Sequence, residues 1–460
     1  MYYNGAASIR EVFAVLELKQ LYKRKDFKEL RNRLNCCHEA DLAEYFNELD
    51  RDERIILFRL LKKDLASSVF SYMDKEEQMD LINAVTDHSL RELLAGLAFD
   101  DKIDLLEEMP ANVTKKILQN VSRDERKIIN QFLNFPENSA ASIMTIEYVD
   151  LKEHYTVPHA LEHIRKTGVD KETIYTCYVI DGGRHLRGIV SLKDIIMAEQ
   201  SKIIGELMDE NAISVQTTDD QEEVAALFKK YDLLSVPVLD HEERLVGIIT
   251  IDDIIDVIEQ EGTEDFYKMA AMEATDDTYL SAGVFALAKK RIVWLMVLMV
   301  SATITGSIIG HFQTVLHSAL SLAIFIPMLM GTGGNAGAQS STLIIRGMAI
   351  GELKSSDILR ILFKELRVSL LVGLALGVVN FARIILFEGE GITIALTVSI
   401  TVFLTIILAK LTGSALPILA KGIGLDPALI AAPLLTTIID ALALLVYFNI
   451  AMLILGSSMV

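Results

Sequence analysis

The chain has 460 residues, with 44 Lys and Arg against 63 Asp and Glu, and this charge is unevenly divided. Residues 1–280 carry 33 basic and 56 acidic side chains, whereas residues 281–460 carry 11 and 7 and are otherwise strongly apolar. The length predicts several domains, and the acidic first part argues against nucleic acid as a partner and favours cations. Three cysteines without metal-ligand spacing suit a reducing compartment. The first residues lack a charged start followed by an apolar core, so we expect no signal peptide and a cytoplasmic N-terminal part.

Residues 1–138 show apolar side chains at three-to-four spacing, as in the run 42–49, which predicts a series of α-helices. Three capping-box patterns predict helix starts: Asp50-x-x-Glu53, Asp74-x-x-Glu77 and Ser122-x-x-Glu125. Their spacing of about 24 residues favours stacked helical pairs and hence an all-α superhelical domain.

Residues 139–202 and 203–262 form a tandem repeat with an offset of 59, as between Leu186 and Leu245. Each copy predicts a strand (175–180 or 236–239), a turn, a second strand, and a Ser or Thr that caps a helix. This pattern resembles an α/β pair of CBS domains. In many such pairs the Gly-x-x-Ser/Thr-x-x-Asp element holds an adenosine ribose. The resemblance therefore implies four candidate ATP ligands: Ser191, Asp194, Thr250 and Asp253. The alternative is that the CBS pair serves only as a dimerising hinge.

An acidic run without any basic residue extends from Asp252 to Asp265, before a connecting helix that we expect over 263–290. Like charges at this density repel one another, and a bound divalent cation would remove that repulsion.

Five apolar stretches, at about 292–312, 318–345, 366–387, 392–419 and 427–455, predict a membrane domain over 291–460. Lys410 in the fourth and a glycine run in the second make those two less certain as simple spans. Basic residues occur at every second connection between spans and are absent from the others, as five spans require. This distribution places the N-terminal domains in the cytoplasm and the C-terminus outside.

Asp440 is the one acidic side chain near the middle of an apolar stretch. An ionised carboxylate there costs about 2.5–3.5 kcal/mol unless a cation or water lies beside it, so it indicates a functional site. The alternative is a protonated carboxyl that bonds to a neighbouring helix through Thr436 or Thr437. Asp426 before Pro427 also fits a helix N-cap.

The second apolar stretch contains four glycines within seven residues, in the segment 327–342. Glycines at this density permit either a close backbone approach or a local break that lines a cavity. Asn335 and Gln339 lie four residues apart and share a helical face. The general alternative is tight helix packing by small residues with polar side chains between helices.

These motifs together resemble the MgtE family of magnesium channels. The resemblance rests on the run Pro327–Gln339, on Gly413–Pro417, on Asp426–Ala428, on Thr436–Asp440, and on the order of the parts. It implies a homodimer with a Mg²⁺ pore between the second and fifth membrane helices, Asp440 as the pore carboxylate and Asp426 at the cytoplasmic mouth. The further pore-lining residues that it implies are Gly333, Gly334, Asn335, Gly337, Gln339 and Thr436.

The same resemblance places regulatory Mg²⁺ at two locations. Between the N domain and the CBS pair it matches Asp100, Asp104 and Asp253. At the junction with the connecting helix it matches Glu222, Asp232, Asp256, Glu261, Glu264 and Asp265. High cytosolic Mg²⁺ would bridge these acids and close the pore, and low Mg²⁺ would let repulsion open it.

The sequence therefore predicts a Mg²⁺-gated, Mg²⁺-selective channel of the plasma membrane, embedded in the lipid bilayer. Two alternatives stay open: a secondary carrier of Mg²⁺, Co²⁺ or Mn²⁺, and a membrane-bound Mg²⁺ or nucleotide sensor that transports nothing. Enzyme functions are disfavoured. His159-x-x-Glu162-His163 fits a zinc-protease pattern but lacks a third ligand, and no phosphate-binding glycine loop occurs.

Overall fold

The computed structural model describes residues 17–270, 272–273, 283–318, 320–430 and 432–456. The chain divides into two compact units, Met1–Val257 and Ile258–Val460. The segment expected as a connecting helix, 263–290, contributes its beginning to one helix and its end to another. Residues 271 and 274–282 between them lie outside the described residues.

Short helices form the first part of the first unit, as the apolar spacing predicts. After a helical stretch at 17–23 they are α1 (Phe27–Leu34), α2 (Glu39–Asn47), α3 (Arg51–Phe58), α4 (Lys63–Ser71), α5 (Lys75–Ala84), α6 (Asp87–Ala95), α7 (Phe99–Glu108), α8 (Ala111–Asn120) and α9 (Arg123–Phe132). Packing occurs mostly between helices two apart in the chain, such as α2 with α4 and α4 with α6. This is the arrangement of a helical superhelix.

The capping-box prediction is correct for the helix starts but only partly for the hydrogen bonds. Ser122 accepts the backbone N–H of Glu125 at 3.2 Å. Asp74 occupies an N-cap without a side-chain bond among the described residues, and Glu77 instead accepts from Arg54 at 3.2 Å. Arg54 is 5% exposed and also donates to backbone carbonyls. Glu77 therefore forms a tertiary contact with this arginine instead of the local capping bond.

The tandem repeat folds into two three-stranded sheets of identical topology. The first consists of β1 (Asp150–Leu151), β2 (Thr176–Ile180) and β3 (Leu186–Ser191), and the second of β4 (Val215–Gln216), β5 (Ser235–Leu239) and β6 (Leu245–Thr250). In each sheet the first pair is parallel and the second antiparallel. Both antiparallel pairs shift register at equivalent positions, so the two copies share even this irregularity in strand pairing.

Helices pack beside these sheets, and their starts follow the sequence pattern. They are α10 (Val157–Thr167), α11 (Leu192–Met197), α12 (Gln221–Tyr231) and α13 (Ile251–Met269). The Tyr178 and Ser235 hydroxyls lie 2.7 Å apart, which links β2 of one copy to β5 of the other. The two copies therefore share a buried polar contact as well as an apolar core.

Long helices dominate the second unit. They are α14 (Val284–His311), α16 (Leu322–Ala349), α17 (Ile358–Arg383), α18 (Ile392–Gly422) and α19 (Ala432–Gly456), with the short α15 (Gln313–Ser318) before α16. Among the described residues, four segments are long and apolar enough to cross a membrane: Val284–His311, Ser355–Glu388, Ile392–Gly422 and Leu434–Leu455. Helix α16 has the length of α14, but glycines and polar residues lower its hydropathy, so it is not among the four.

Candidate functional site

Carboxylates from the helical part and the CBS pair come together in the first unit. Burial raises the pKa of Asp100 to about 7, and repulsion from Glu172 adds to this rise. The pKa of Asp253, at the start of α13, is likewise raised to about 7 by burial and by Asp100, despite a 2.6 Å hydrogen bond from Thr250. Asp104 keeps part of its surface exposed, yet desolvation by the surrounding chain and repulsion from Asp253 raise its pKa to about 7. The structure thus brings Asp100, Asp104 and Asp253 near one another.

Four further acids belong to this group, and the resemblance did not point to them. We call the acid cluster the set Asp100, Asp101, Asp104, Glu147, Glu172, Asp252 and Asp253. Burial and repulsion from Asp252 and Asp253 raise the pKa of Glu172 to about 7. The Glu172 backbone N–H donates to the Glu147 carbonyl at 2.9 Å, which holds the two acids side by side. No local motif marks Glu147 or Glu172 as members of this cluster. They lie near α7 only through the packing of the first CBS copy, which the local sequence does not reveal.

One oxygen of the acid cluster lacks a hydrogen-bond partner in the part of the chain that the structure describes. Asp100 Oδ1 is buried and has no hydrogen-bond donor among the described residues. A buried acceptor without a donor costs on the order of 1–3 kcal/mol. The chemistry of this oxygen therefore fits a cation or a cation-bound water.

Among the described residues, no three side chains of His, Cys, Asp or Glu lie where they could ligate one metal ion together. Mg²⁺ commonly keeps several of its waters and binds through one or two carboxylates. The acid cluster fits that mode of binding better than a closed shell of protein ligands.

The other acids of the predicted regulatory set are spread over α12 and α13. Glu222 lies in the exposed first turn of α12, and Asp232 follows that helix in a left-handed conformation with φ 51°. Asp256 is exposed on α13, and Glu261 is half-buried further along the same helix.

Glu264 and Asp265 approach Asp426 within the second unit. Lys268 Nζ lies 2.8 Å from Glu264 and 2.7 Å from Asp426. Burial, and then repulsion from Asp426, raise the pKa of Asp265. Asp426 also accepts the Ala428 backbone N–H at 2.8 Å, so the predicted capping role is observed. Three predicted metal ligands therefore lie near one another here, together with Lys268, which no sequence motif marks.

The candidate adenosine residues form one equivalent hydrogen bond in each CBS copy. Ser191 Oγ donates to Asp194 at 2.5 Å and caps α11 by accepting the Asp194 N–H at 3.0 Å. Thr250 Oγ1 donates to Asp253 at 2.6 Å. Asp253 consequently belongs both to this motif and to the acid cluster.

The glycine run of the second membrane segment is continuous helix, so the local break that it could have permitted does not occur. Close packing accounts for three of the four glycines, since a Cβ at Gly331 would meet no atom within 4 Å. A Cβ at Gly337 would overlap Ile439 of α19 and lie 3.2 Å from the Ala409 carbonyl, and one at Gly413 would overlap the Gly337 carbonyl. A Cβ at Gly333 would lie 2.8 Å from Thr405, and one at Gly334 would lie 3.1 Å from Thr436.

These contacts place residues 333–337 of α16 alongside residues 436–439 of α19. Asn335 and Gln339 are exposed on α16, whereas Gly333, Gly334 and Gly337 are buried. Asp440, half-buried, is the one charged residue of α19 and lies one turn beyond Thr436. An uncovered polar face on an apolar helix requires water, an ion path or another protein surface beside it.

The fold and these sites define a multi-pass membrane protein with an acidic region of helices and a CBS pair. The model of the MgtE intracellular N domain matches residues 37–138, and CBS-domain models match 140–201 and 204–260. The model described as MgtE, divalent cation transporter, matches residues 326–450. The chain belongs to the MgtE family.

Relatives match over nearly their whole length. Identity is 37% over 446 residues to the magnesium transporter MgtE of Thermus thermophilus, which covers 96% of this chain and 98% of that protein. It is 32% over 437 residues to the Bacillus subtilis magnesium transporter MgtE, covering 95% and 96%. These names denote transporters, a function that is not enzymatic, as the sequence predicts.

A solved structure matches the N-terminal half. It is the cytosolic domain of the Mg²⁺ channel MgtE in complex with ATP, with a TM-score of 0.51 and 35% identity over 53% of this chain and 99% of that chain. The order of helical domain and CBS pair in this chain is thus that of a known MgtE cytosolic domain.

Proposed function

We propose that this protein is a Mg²⁺-selective channel of the plasma membrane, closed by cytosolic Mg²⁺. The observation that carries the proposal is Asp440, the sole charged residue of α19, half-buried beside the close-packed glycines of α16. Mg²⁺ dehydrates reluctantly, so a carboxylate that contacts it through retained water suits a path for the hydrated ion. Negative charge in such a path also excludes anions.

The channel is a homodimer in this proposal, with the ion path between the α16 and α19 helices of the two copies. The exposure of Asn335 and Gln339 on α16 of a single chain supports this arrangement. Two Asp440 carboxylates would then face one path. The N-terminal domains are cytoplasmic and the C-terminus lies outside, as the distribution of basic residues favours.

The acid cluster is the sensor in this proposal. Burial, and then repulsion between neighbouring acids, raise the pKa of four of its carboxyls to about 7, so their ionised forms are disfavoured. Bound Mg²⁺ neutralises that repulsion and makes the first unit more compact, and this state favours the closed channel. Glu222, Asp232, Asp256, Glu261, Glu264, Asp265 and Asp426 are proposed as further Mg²⁺ contacts.

The CBS pair binds ATP in this proposal, through Ser191 with Asp194 or through Thr250 with Asp253. The support is the relative whose cytosolic domain was solved with ATP, together with the two equivalent Ser/Thr–Asp hydrogen bonds of this chain. Calorimetric titration of ATP into Asp194→Asn and Asp253→Asn separates the two motifs. Unchanged affinity in both variants would exclude these residues as ligands.

The deciding experiment is patch-clamp recording of Mg²⁺ current with cytosolic Mg²⁺ stepped from near zero to about 10 mM, a range that spans weak carboxylate sites. Wild type should conduct at low internal Mg²⁺ and close at high Mg²⁺. Asp440→Asn should lose Mg²⁺ selectivity or current. Glu352→Gln is the matched control, because it removes an exposed carboxylate of the same unit. Flux without resolvable channel openings would indicate a carrier, and full function in Asp440→Asn would favour a sensor.

A further inference from the structure

Two buried polar side chains and one largely buried carboxylate, from three different helices, meet in the second unit. Ser340 of α16 donates to Glu365 of α17 at 2.8 Å, and Lys410 of α18 donates to Ser340 at 3.3 Å. Lys410 Nζ and Glu365 Oε2 are 4.0 Å apart. We call these three residues the buried charge network.

Both charges of the network lie within segments long and apolar enough to span a membrane. Their side chains are 7% and 13% exposed, so both are largely removed from solvent. An unpaired charge in such a place is costly, and intramembrane charges therefore pair with one another. In the sequence, Lys410 makes the fourth span less certain. In the structure its charge is compensated by Glu365, which no sequence motif links to it.

A buried ion pair is weak evidence for stability, because apolar side chains of similar volume often serve as well. Its best-supported use is to specify one arrangement out of several. The functional question is therefore which arrangement the buried charge network specifies.

The network acts on the helix that carries the proposed pore residues. Ser340 directly follows Gln339 on α16, and three residues before it Gly337 packs against Gly413 of α18. Lys410 lies three residues before Gly413, so α16 and α18 are joined at two successive levels. Because α16 is continuous helix, a fixed Ser340 also fixes the rotation of Gln339 and Asn335 about the helix axis.

We propose that the buried charge network is a positioning element for ion selectivity. It holds α16 in one rotation against α17 and α18, and thereby orients Asn335 and Gln339 toward the ion path. The inference rests on the proposed channel function and assigns to Ser340, Glu365 and Lys410 a role that acts through the pore residues.

Two adjacent buried serines provide a matched test. Ser340 and Ser341 are each 1% exposed, but Ser341 Oγ has no hydrogen-bond partner among the described residues. Reversal potentials with Mg²⁺ on one side and Na⁺ on the other give the permeability ratio independently of expression level. Ser340→Ala should lower the Mg²⁺ to Na⁺ permeability ratio by about threefold or more, within the range of coupling between contacting residues. Ser341→Ala should leave the ratio unchanged.

The double variant Glu365→Gln/Lys410→Met separates positioning from folding. Removing both charges avoids an unpaired buried ion, so the purified double variant should keep a melting temperature close to that of wild type. Its permeability ratio should nevertheless fall, as in Ser340→Ala. An unchanged permeability ratio in Ser340→Ala overturns the inference. An unchanged ratio in a double variant that keeps its melting temperature overturns it as well. A wild type without Mg²⁺ current refutes the channel itself, whereas normal current with unaltered selectivity in the variants refutes only the network.

Discussion

The ammonium nitrogen of Lys268 lies 2.7 Å from a carboxylate oxygen of Asp426, between the last turn of α13 and the turn that precedes α19. It also lies 2.8 Å from Glu264. Burial opposes the charge on Lys268, but the hydrogen bonds to Asp426 and Glu264 outweigh it and raise the pKa of the lysine. A built-in cation thus pairs with acids that the sequence predicts as Mg²⁺ ligands.

Replacing this lysine should strengthen Mg²⁺ binding near Asp426. In Lys268→Met the carboxylates of Glu264, Asp265 and Asp426 lose their internal counter-charge, and Mg²⁺ no longer competes with an ammonium group. The rise in melting temperature that Mg²⁺ produces in the full-length protein in detergent should be larger than in wild type. Lys364→Met, which removes an exposed lysine of the same unit, serves as the control. An equal or smaller rise in Lys268→Met would show that these acids do not bind Mg²⁺.

The stability of the protein should depend on pH around neutrality in a way that Mg²⁺ changes. Asp100, Asp104, Glu172 and Asp253 have folded-state pKa values of about 7, above those of unfolded Asp and Glu. Their protonated forms stabilise the fold at low pH, and this contribution is lost as pH rises through about 7.

Without Mg²⁺ the melting temperature should therefore fall between pH 6 and pH 8, and the increment that Mg²⁺ adds should grow over the same range. Thermal unfolding at both pH values, with and without Mg²⁺, measures this. A Mg²⁺ increment that is the same at pH 6 and pH 8 would be inconsistent with binding at the acid cluster.

Asp100→Asn should stabilise the Mg²⁺-free protein at pH 8. The change removes a charge that its neighbours repel, and the gain should be on the order of 1 kcal/mol, comparable to relieving a poorly satisfied buried group. The same variant should respond less to Mg²⁺ and should conduct at internal Mg²⁺ concentrations that close wild type. Asp124→Asn, an acid of α9 with a side chain 95% exposed, is the control. Closure of Asp100→Asn at the wild-type Mg²⁺ concentration would remove Asp100 from the sensor.

Gly413→Ala should disrupt the packing of α16 on α18. The added Cβ would meet the backbone of Gly337, with its carbonyl carbon at 3.0 Å and its Cα at 3.1 Å, and backbone cannot rotate away. Overpacking of this kind costs about 1–3 kcal/mol. Gly422→Ala on the same helix meets no atom within 4 Å and should be neutral or slightly stabilising. Melting temperatures and Mg²⁺ currents of the two variants provide the comparison, and equal behaviour would mean that the two helices are not closely packed in the membrane.

Much of the architecture follows from local patterns in the chain. The tandem repeat predicts both hairpins because each strand and turn is encoded within a few consecutive residues. The same holds for the helix starts at Asp50, Asp74 and Ser122, and for the apolar stretches of the second unit. Asp440 and the glycine run also stand out without a structure, because a charge or a cluster of glycines in an apolar segment is itself unusual.

The partners of individual charges depend on packing between residues that are far apart in sequence. Glu172 joins Asp100 and Asp253 only because the first CBS copy folds against α7. Glu77 accepts a hydrogen bond from Arg54 and does not cap its own helix, and Lys410 of α18 pairs with Glu365 of α17. Sequence alone thus determined the elements, the family and the residues of unusual chemistry, since these depend on composition and short-range periodicity. Only the tertiary structure decided which charges face one another, because electrostatic and steric contacts depend on distance in space.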